Sequence, residues 1–320
     1  MKAISLFSGG LDSALAIKII QEQGIEVEGV YIDLGFEANK DKIEHLKKLA
    51  EELGIEFSVI DAKEEYIKEI LFNPVYGYGK NFNPCIDCHA FMIRKAKEYM
   101  QKSNAKFIIS GEVVGQRPMS QRLPALNAVN KLSNANNLVL RPLSAKLLPP
   151  TIPEIKGWVD REKLLGISGR DRKIQLELAK KYGLENFESP SGGCLLTDIG
   201  FSKRLKDYHK HLPLTPKEIE ILKVGRHFNV DGVKIIISRN KDENIPLKEY
   251  EGGIFEKMFI INKPGPIGLI QKDAKEEIKE IAADMMVSYT KFDEAEVKIG
   301  NTIYKGKKKD KKEFAKYLIF

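Results

Sequence analysis

The chain opens on an apolar run, Ala3-Ile4-Ser5-Leu6-Phe7, which breaks at Ser8-Gly9-Gly10 and resumes as an amphipathic stretch from Ala14. A strand, a tight loop and a helix are predicted, with Leu15, Ile19 and Ile20 on the helix's apolar face and Gly24 as its stop. Val27 to Leu34 is continuously apolar enough to be a strand buried on both faces, and strand, helix, strand implies parallel pairing. The alternation continues through a helix carrying Ile43, Leu46 and Leu49, a strand Phe57–Ile60, a helix from about Lys63 to Leu71, and a strand Phe107–Ser110. This pattern predicts an α/β fold with an open, doubly wound parallel sheet. Ligands of such sheets bind beyond the carboxyl ends of the strands, where the Ser8–Ser13 loop, Asp33 and Gly111 are expected to meet.

The later pattern is different. Pro149-Pro150-Thr151-Ile152-Pro153 reads as a stiff break, followed by Ile167-Ser168-Gly169-Arg170-Asp171-Arg172-Lys173, which opens a helix ending at Gly183. From about Thr215 an α+β module is predicted, with strands Val233–Ser238, Phe255–Ile261 and Gly268–Ile270, a helix through Ile278, Ile281 and Met285, and a lysine-rich end. Three units are expected: residues 1–150, a helical extension over 151–212, and a small domain over 213–320.

Composition adds a partner class. A net charge of +7 and a sequence pI near 9.0 favour a polyanionic partner. No run of eighteen apolar residues occurs and the N-terminus enters a strand directly, so neither a membrane span nor a signal peptide is expected, and the protein is expected in the cytoplasm. Three cysteines in a reducing compartment argue against a disulfide scaffold and for metal, redox or core roles.

The loop Ser8-Gly9-Gly10-Leu11-Asp12-Ser13 has the chemistry of an anion cradle. Paired glycines allow close backbone approach, the helix start offers N–H groups, and the Ser8 and Ser13 hydroxyls add donors. Asp12 would repel bare phosphate and therefore implies Mg²⁺ between them. No G-x-x-x-x-G-K-[ST] occurs, so the usual phosphate-binding lysine is missing. Against this stands an ordinary serine-rich glycine turn before a helix.

Asn83-Pro84-Cys85-Ile86-Asp87-Cys88-His89 precedes another helix. Its C-x-x-C-H admits a haem c attachment site, which belongs to exported proteins, a redox pair, or half of a zinc site lacking its second pair. Ser189-Pro190-Ser191-Gly192-Gly193-Cys194 places the third cysteine behind two glycines, a context unlike that of a core cysteine.

Placed after the first strand, Ser-Gly-Gly-Leu-Asp-Ser resembles the loop of the PP-loop, N-type ATP pyrophosphatases, whose adenine nucleotide alpha hydrolase-like fold adenylates a carbonyl with ATP and releases pyrophosphate. The resemblance implies ATP and Mg²⁺, with Ser8, Gly9, Gly10, Asp12, Ser13, Asp33 and Gly111 binding nucleotide and Asp33 on the adenine side. Cys85, Cys88 and Cys194 resemble the three cysteines of that superfamily's tRNA thiolation enzymes, which hold a 4Fe-4S cluster with one iron open. In related thiolases without a cluster, the counterparts of Cys88 and Cys194 form a persulfide and then a disulfide. Gly111-Glu112-Val113-Val114-Gly115-Gln116, followed by Ser120-Gln121, resembles a segment of the 4-thiouridine synthetases, as does Leu140-Arg141-Pro142-Leu143, whose Arg141 faces either phosphate or solvent. Arg170 and Arg172 fit phosphate-backbone contact. The last unit resembles the RNA-binding domain of NFACT proteins, and Lys305, Lys307, Lys308, Lys309, Lys311 and Lys312 form a hairpin-like basic patch.

Together these residues imply an ATP-dependent tRNA sulfurtransferase that adenylates a uridine and replaces its carbonyl oxygen with sulfur, with Asp12, Cys88 and Cys194 in the chemistry and Cys85, Cys88 and Cys194 as metal ligands. The 4Fe-4S cluster is preferred to zinc. The partners implied are tRNA and a sulfur donor, either a persulfide protein or free sulfide; no membrane is involved, and the oligomeric state is open, with a dimer among the options. Rival readings are an adenylating ligase or amidotransferase of the same superfamily, which would not need the cysteines, and a non-catalytic RNA-binding protein.

Overall fold

The computed structural model describes residues 1–135, 137–188 and 193–319. The chain divides into two compact units, residues 1–194 and 195–320.

In the first unit β1 (Lys2–Leu6), β2 (Glu26–Asp33), β3 (Glu56–Asp61), β4 (Phe107–Ser110) and β5 (Val139–Leu140) form a wholly parallel sheet in the order β3-β2-β1-β4-β5. The expected doubly wound α/β sheet is present. Its central strands β1, β2 and β4 are largely buried because helices cover both faces. The helices are α1 (Leu11–Gln21), α2 (Lys42–Leu53), α3 (Lys63–Tyr66, continued by a π turn at Ile67–Leu71), α4 (Cys85–Lys102), α5 (Leu123–Ser133), α6 (Ile152–Ile155) and α7 (Lys173–Tyr182). Gly54 and Gly183 close α2 and α7 in the left-handed conformation. The chain leaves β1 toward β2 on one side, whereas β4 pairs with β1 on the other. The order therefore reverses between β1 and β4, and a crevice opens at their carboxyl ends.

The break at Pro149–Pro153 is not a boundary between compact units. Val159, Leu164, Ile167, Ala179 and Leu184 are buried in one core with Phe7, Leu11, Leu15, Leu46 and Phe107. Residues 151–194 thus complete the first unit, although expectation placed them in a separate extension.

The second unit starts at Leu195 and contains α8 (Ile199–His211), α9 (Pro216–Leu222), β6 (Arg226–Val230), β7 (Val233–Ile237), α10 (Lys241–Glu249), β8 (Phe255–Ile260), β9 (Ile267–Gln271), α11 (Glu276–Ser288), β10 (Glu294–Ile299), β11 (Thr302–Lys307) and β12 (Leu318–Ile319). Its seven-stranded antiparallel sheet runs β11-β10-β8-β9-β7-β6-β12. The apolar stripe of α11, with Ile278, Ala282, Met285 and Met286, packs on Phe228, Ile235, Ile237, Met258 and Ile270. Tyr208 of α8 lies 6.3 Å from Phe255, so α8 belongs to this unit and the unit begins before residue 213.

Candidate active site

The Ser8–Ser13 loop sits between the end of β1 and the start of α1. Gly9 adopts φ +75°, and a Cβ there would lie 2.7 Å from Leu46, so both conformation and space call for glycine. Gly10 is the N-cap of α1 and no side chain caps the helix, which leaves its first N–H groups open to a ligand. Ser13 Oγ donates to the Gly10 carbonyl at 2.7 Å and lies 3.4 Å from Ser8 Oγ. Lys42 Nζ holds the loop from behind, donating to the Ser8 carbonyl at 2.6 Å and to Glu188 at 2.5 Å.

Gly111 closes the other side of the crevice. A Cβ on it would lie 2.6 Å from the backbone of Asp12 and Ser13, so β4 can end against α1 only with glycine at this position. Asp12 Oδ2 accepts from Gln116 Nε2 at 2.6 Å, and Gln175 Nε2 donates to Gln116 Oε1 at 3.2 Å. Arg172 Nη2 lies 3.7 Å from Asp12 Oδ2. Asp12 Oδ1 is buried with no hydrogen-bond partner. One carboxylate oxygen held open beside an anion cradle fits Mg²⁺, which takes one or two protein carboxylates and fills its remaining positions with phosphate oxygens and water.

Asp33, at the end of β2, accepts from the Gly35 N–H at 2.9 Å and pairs with Lys63 at 2.7 Å. Burial opposes the charge on Lys63, but Asp33 and Asp61 outweigh it and hold the ammonium above its ordinary range. Beyond β2 the chain meets the segment of the third cysteine: Glu37 bridges Cys194, and the Ala38 N–H donates to the Gly193 carbonyl at 2.9 Å. On the near side the Glu188 N–H donates to the Gly9 carbonyl at 2.9 Å. Residues 188 and 194 are therefore pinned to the loop and to the end of β2. Ser189, Pro190, Ser191 and Gly192 of the expected motif lie outside the described residues.

Cys85 and Cys88 occupy the first turn of α4, three apart and so on one face. Asp87 between them accepts from the Val75 and Tyr76 N–H groups at 2.6 and 3.0 Å, fixing the preceding loop. Burial pushes the Cys88 thiol up, and Cys194, Cys85 and Glu37 add to the shift against the opposing Tyr66 hydroxyl. Burial also raises Cys85, countered by Arg117. Tyr66 is raised well above its ordinary value by burial and by Cys88, Cys194 and Cys85. The three expected cysteines thus share one neighbourhood around a buried tyrosine. A thiol donor set held neutral by burial is one that a bound cation would ionise. Among the described residues, however, no three His, Cys, Asp or Glu side chains stand together closely enough to hold a metal ion, so as placed they fit the chemistry of a cluster but not its geometry.

The segment after β4 links the two places. Gln116 bonds Asp12 in the nucleotide crevice, while its neighbour Arg117 acts on Cys85. Arg141 faces neither phosphate nor solvent: it is 3% exposed and its Nε donates to Glu112 at 2.8 Å. Glu112 also meets His89 Nδ1 at 2.7 Å. Burial alone would raise this carboxyl, but Arg141 and then His89 hold it down at about 2. Tyr66, His89 and Glu112 were not singled out as site residues from the sequence, since each depends on long-range packing. Arg172 was noticed, but for a different partner.

In the second unit the lysine run divides. Lys305 and Lys307 sit on β11 directly across from Glu296 and Glu294 of β10, a cross-strand register of opposite charges. Lys309 pairs with Asp284 at 2.6 Å. Lys311 turns to the ring of Tyr289, 5.2 Å from its centroid, where Arg226 stacks at 4.3 Å. Lys263 and Lys291 lie 4.8 and 5.7 Å from the ring of Phe292. The basic patch is therefore centred on two half-exposed aromatic rings and not on the hairpin.

Residues 1–146 match the family model described as thiamine biosynthesis protein (ThiI), and residues 225–317 match that of the NFACT protein RNA binding domain. The chain is 26% identical over 212 residues to a tRNA-specific 2-thiouridylase MnmA 2 of Fusobacterium nucleatum, covering 64% of this chain and 58% of the relative. It is 38% identical over 98 residues to MnmA of Treponema denticola, covering 28% and 27%. The chain thus spans less than three fifths of these curated relatives. Among solved structures, a 4-thiouridine synthetase–RNA complex with bound ATP matches at 18% identity and a TM-score of 0.41, covering 69% of this chain and 52% of that one.

Proposed function

We propose that this chain, whose residues 1–146 belong to the ThiI-type PP-loop family and whose residues 225–317 form an NFACT-type RNA-binding domain, is an ATP-dependent sulfurtransferase acting on a uridine of tRNA. The observation that supports this most is the crevice itself: Gln116, on the segment leaving β4, donates to Asp12 of the loop at 2.6 Å, while Glu188 and Cys194 are held to Gly9 and Glu37. A nucleotide site alone would suit an adenylating ligase. A nucleotide site beside cysteines suits activation followed by sulfur delivery.

In the first step the uridine carbonyl oxygen attacks the α-phosphorus of ATP, the bond from that phosphorus to the bridging oxygen breaks, and pyrophosphate leaves. The loop N–H groups and Ser13 stabilise the charge that develops on it, and Asp12 would hold a Mg²⁺ ion, which would supply further charge neutralisation. In the second step sulfur attacks the activated carbon, the carbon–oxygen bond breaks and AMP leaves. An RNA base must be unstacked to reach such a crevice, so a flipped uridine is the substrate.

Two sulfur routes follow from the cysteines. In the first, Cys85, Cys88 and Cys194 would hold a 4Fe-4S cluster, which would supply sulfide to the activated carbon. The second reading is favoured by the lack of a closed ligand trio among the described residues. In it, the outer sulfur of a persulfide on Cys88 or Cys194 attacks the base, and the other cysteine's thiolate then releases the product as a disulfide forms.

Single alanine variants of Asp12, Cys85, Cys88 and Cys194, purified without oxygen, test both. Asp12→Ala is expected to abolish tRNA-dependent pyrophosphate release. Each cysteine variant is expected to retain that release while losing iron, labile sulfide and thiolation together. Full thiolation by Cys85→Ala with a persulfide donor, in protein free of labile sulfide, would replace the cluster with the relay, and unchanged pyrophosphate release by Asp12→Ala would sink the whole reading.

A further inference from the structure

A loop of this kind faces a charge problem. It must bind three phosphates beside its own aspartate, and it lacks the lysine by which other phosphate loops manage this. Lys42, the lysine that touches the loop, is committed to the Ser8 carbonyl and Glu188. The start of α7 offers the alternative. Val114 bridges Ser168, and the Gly169 N–H donates to the Val114 carbonyl at 2.8 Å, which brings the turn before α7 against the segment leaving β4. Arg172 is the N-cap of α7, and the Asp171 carboxylate beside it accepts from the Lys173 N–H at 3.0 Å. Two helix starts therefore border Asp12, one within its own loop and one carrying Arg172.

The polar atoms around Asp12 are only half satisfied. Arg172 Nη2 stops 3.7 Å from Asp12 Oδ2, longer than a hydrogen bond, and Arg172 Nε is buried without a partner. Asp12 Oδ1 has none. Gln175, one turn along α7 and fully buried, spends its amide on Gln116 and leaves Oε1 unpartnered. Leaving buried donors and acceptors unpaired costs about 1–3 kcal/mol each, so such a cluster is stable chiefly when something else completes it.

We infer that Arg172 binds the β- and γ-phosphates of ATP, taking the place of the missing loop lysine. With nucleotide absent its guanidinium leans toward Asp12 as a loose counter-ion. With Mg·ATP present Asp12 turns to the metal, and the Arg172 fork takes two phosphate oxygens, a pairing that planar guanidinium makes better than ammonium. Gln116 keeps Asp12 aimed through both states, and Gln175 keeps Gln116 aimed. This role differs from the RNA-backbone contact that the residue's position at a basic helix start suggested. It rests on the ATP reading proposed above.

The test is equilibrium binding to the full-length protein without tRNA, using Mg·ATP, Mg·pyrophosphate and AMP as probes and circular dichroism as a fold control. Arg172→Ala is expected to weaken Mg·ATP and Mg·pyrophosphate by about tenfold to a hundredfold, the worth of one or two charged hydrogen bonds, while leaving AMP within about twofold. Arg172→Lys is expected to recover part of the loss. Unchanged pyrophosphate affinity in Arg172→Ala, or an equal loss for AMP, would overturn the assignment and mark Arg172 as a structural cap. If the wild-type protein binds none of the three probes, the nucleotide reading itself fails, and this inference with it.

Discussion

Glu112 shows how much of this site depends on single buried charges. Its carboxylate is surrounded by protein, yet Arg141 and His89 hold it near 2, against an ordinary value of 4.5. A carboxyl whose folded-state value is depressed contributes stability that is complete above 4.5 and disappears as pH falls toward 2. The contribution is on the order of 3 kcal/mol. Glu112→Gln removes the titration but strands Arg141, which is buried beside it. The variant is expected to lose a few kcal/mol at neutral pH, and its denaturant midpoint should vary less than the wild type's between pH 4.5 and 2. Parallel curves for the two proteins across that window would show that Glu112 is not the group responsible. Residue identity in the sequence revealed the loop and the cysteines because their spacing is short. Arg141 was misread for the opposite reason. Its partners, Glu112 and Asn130, come from other segments, and only folding places a carboxylate against it.

Elements were the most legible scale. β1 and β4 read as strands from short apolar runs because helices cover both faces of the sheet there, whereas β3 lies at the sheet edge with mixed exposure. Sequence did not reveal that α7 returns to the core of the first unit, since Pro149-Pro150 marks a stiff turn whether or not a domain ends there. The π turn at Ile67–Leu71 carries no pattern of its own. The junction of β4 with α1 is where an element's position bears most directly on binding. Gly111→Ala would place a methyl carbon 2.6 Å from the backbone of Asp12 and Ser13, and neither strand nor helix can yield as a flexible side chain would. The expected result is a stability loss of about 1–3 kcal/mol and Mg·ATP binding weakened at least about tenfold, measured by thermal unfolding and equilibrium dialysis. The tRNA affinity supplied by the second unit should change little. ATP binding at the wild-type level would show that the crevice does not need this close approach.

At the level of the whole molecule, the two units have separate cores, and so separate contributions to binding are expected. The second unit contributes unneutralised cations beside aromatic rings, with Arg226 and Lys311 over Tyr289 and Lys263 and Lys291 near Phe292. Cations of this kind release counterions from phosphates, and each contact adds to the slope of affinity against salt, while rings accept unstacked bases without regard to sequence. Lys305 and Lys307 should contribute little, because glutamates face them across the hairpin. Ending the chain after Cys194 is therefore expected to leave ATP binding intact and to weaken tRNA binding with a shallower salt dependence. In the full-length protein, Lys263→Glu with Lys311→Glu should reduce the salt slope by about two, whereas Lys305→Glu with Lys307→Glu should barely move it. Titrations of tRNA at several salt concentrations distinguish the two pairs. If the β11 pair proves the costlier, the RNA lies on the open face of the hairpin and not along the Tyr289 and Phe292 edge.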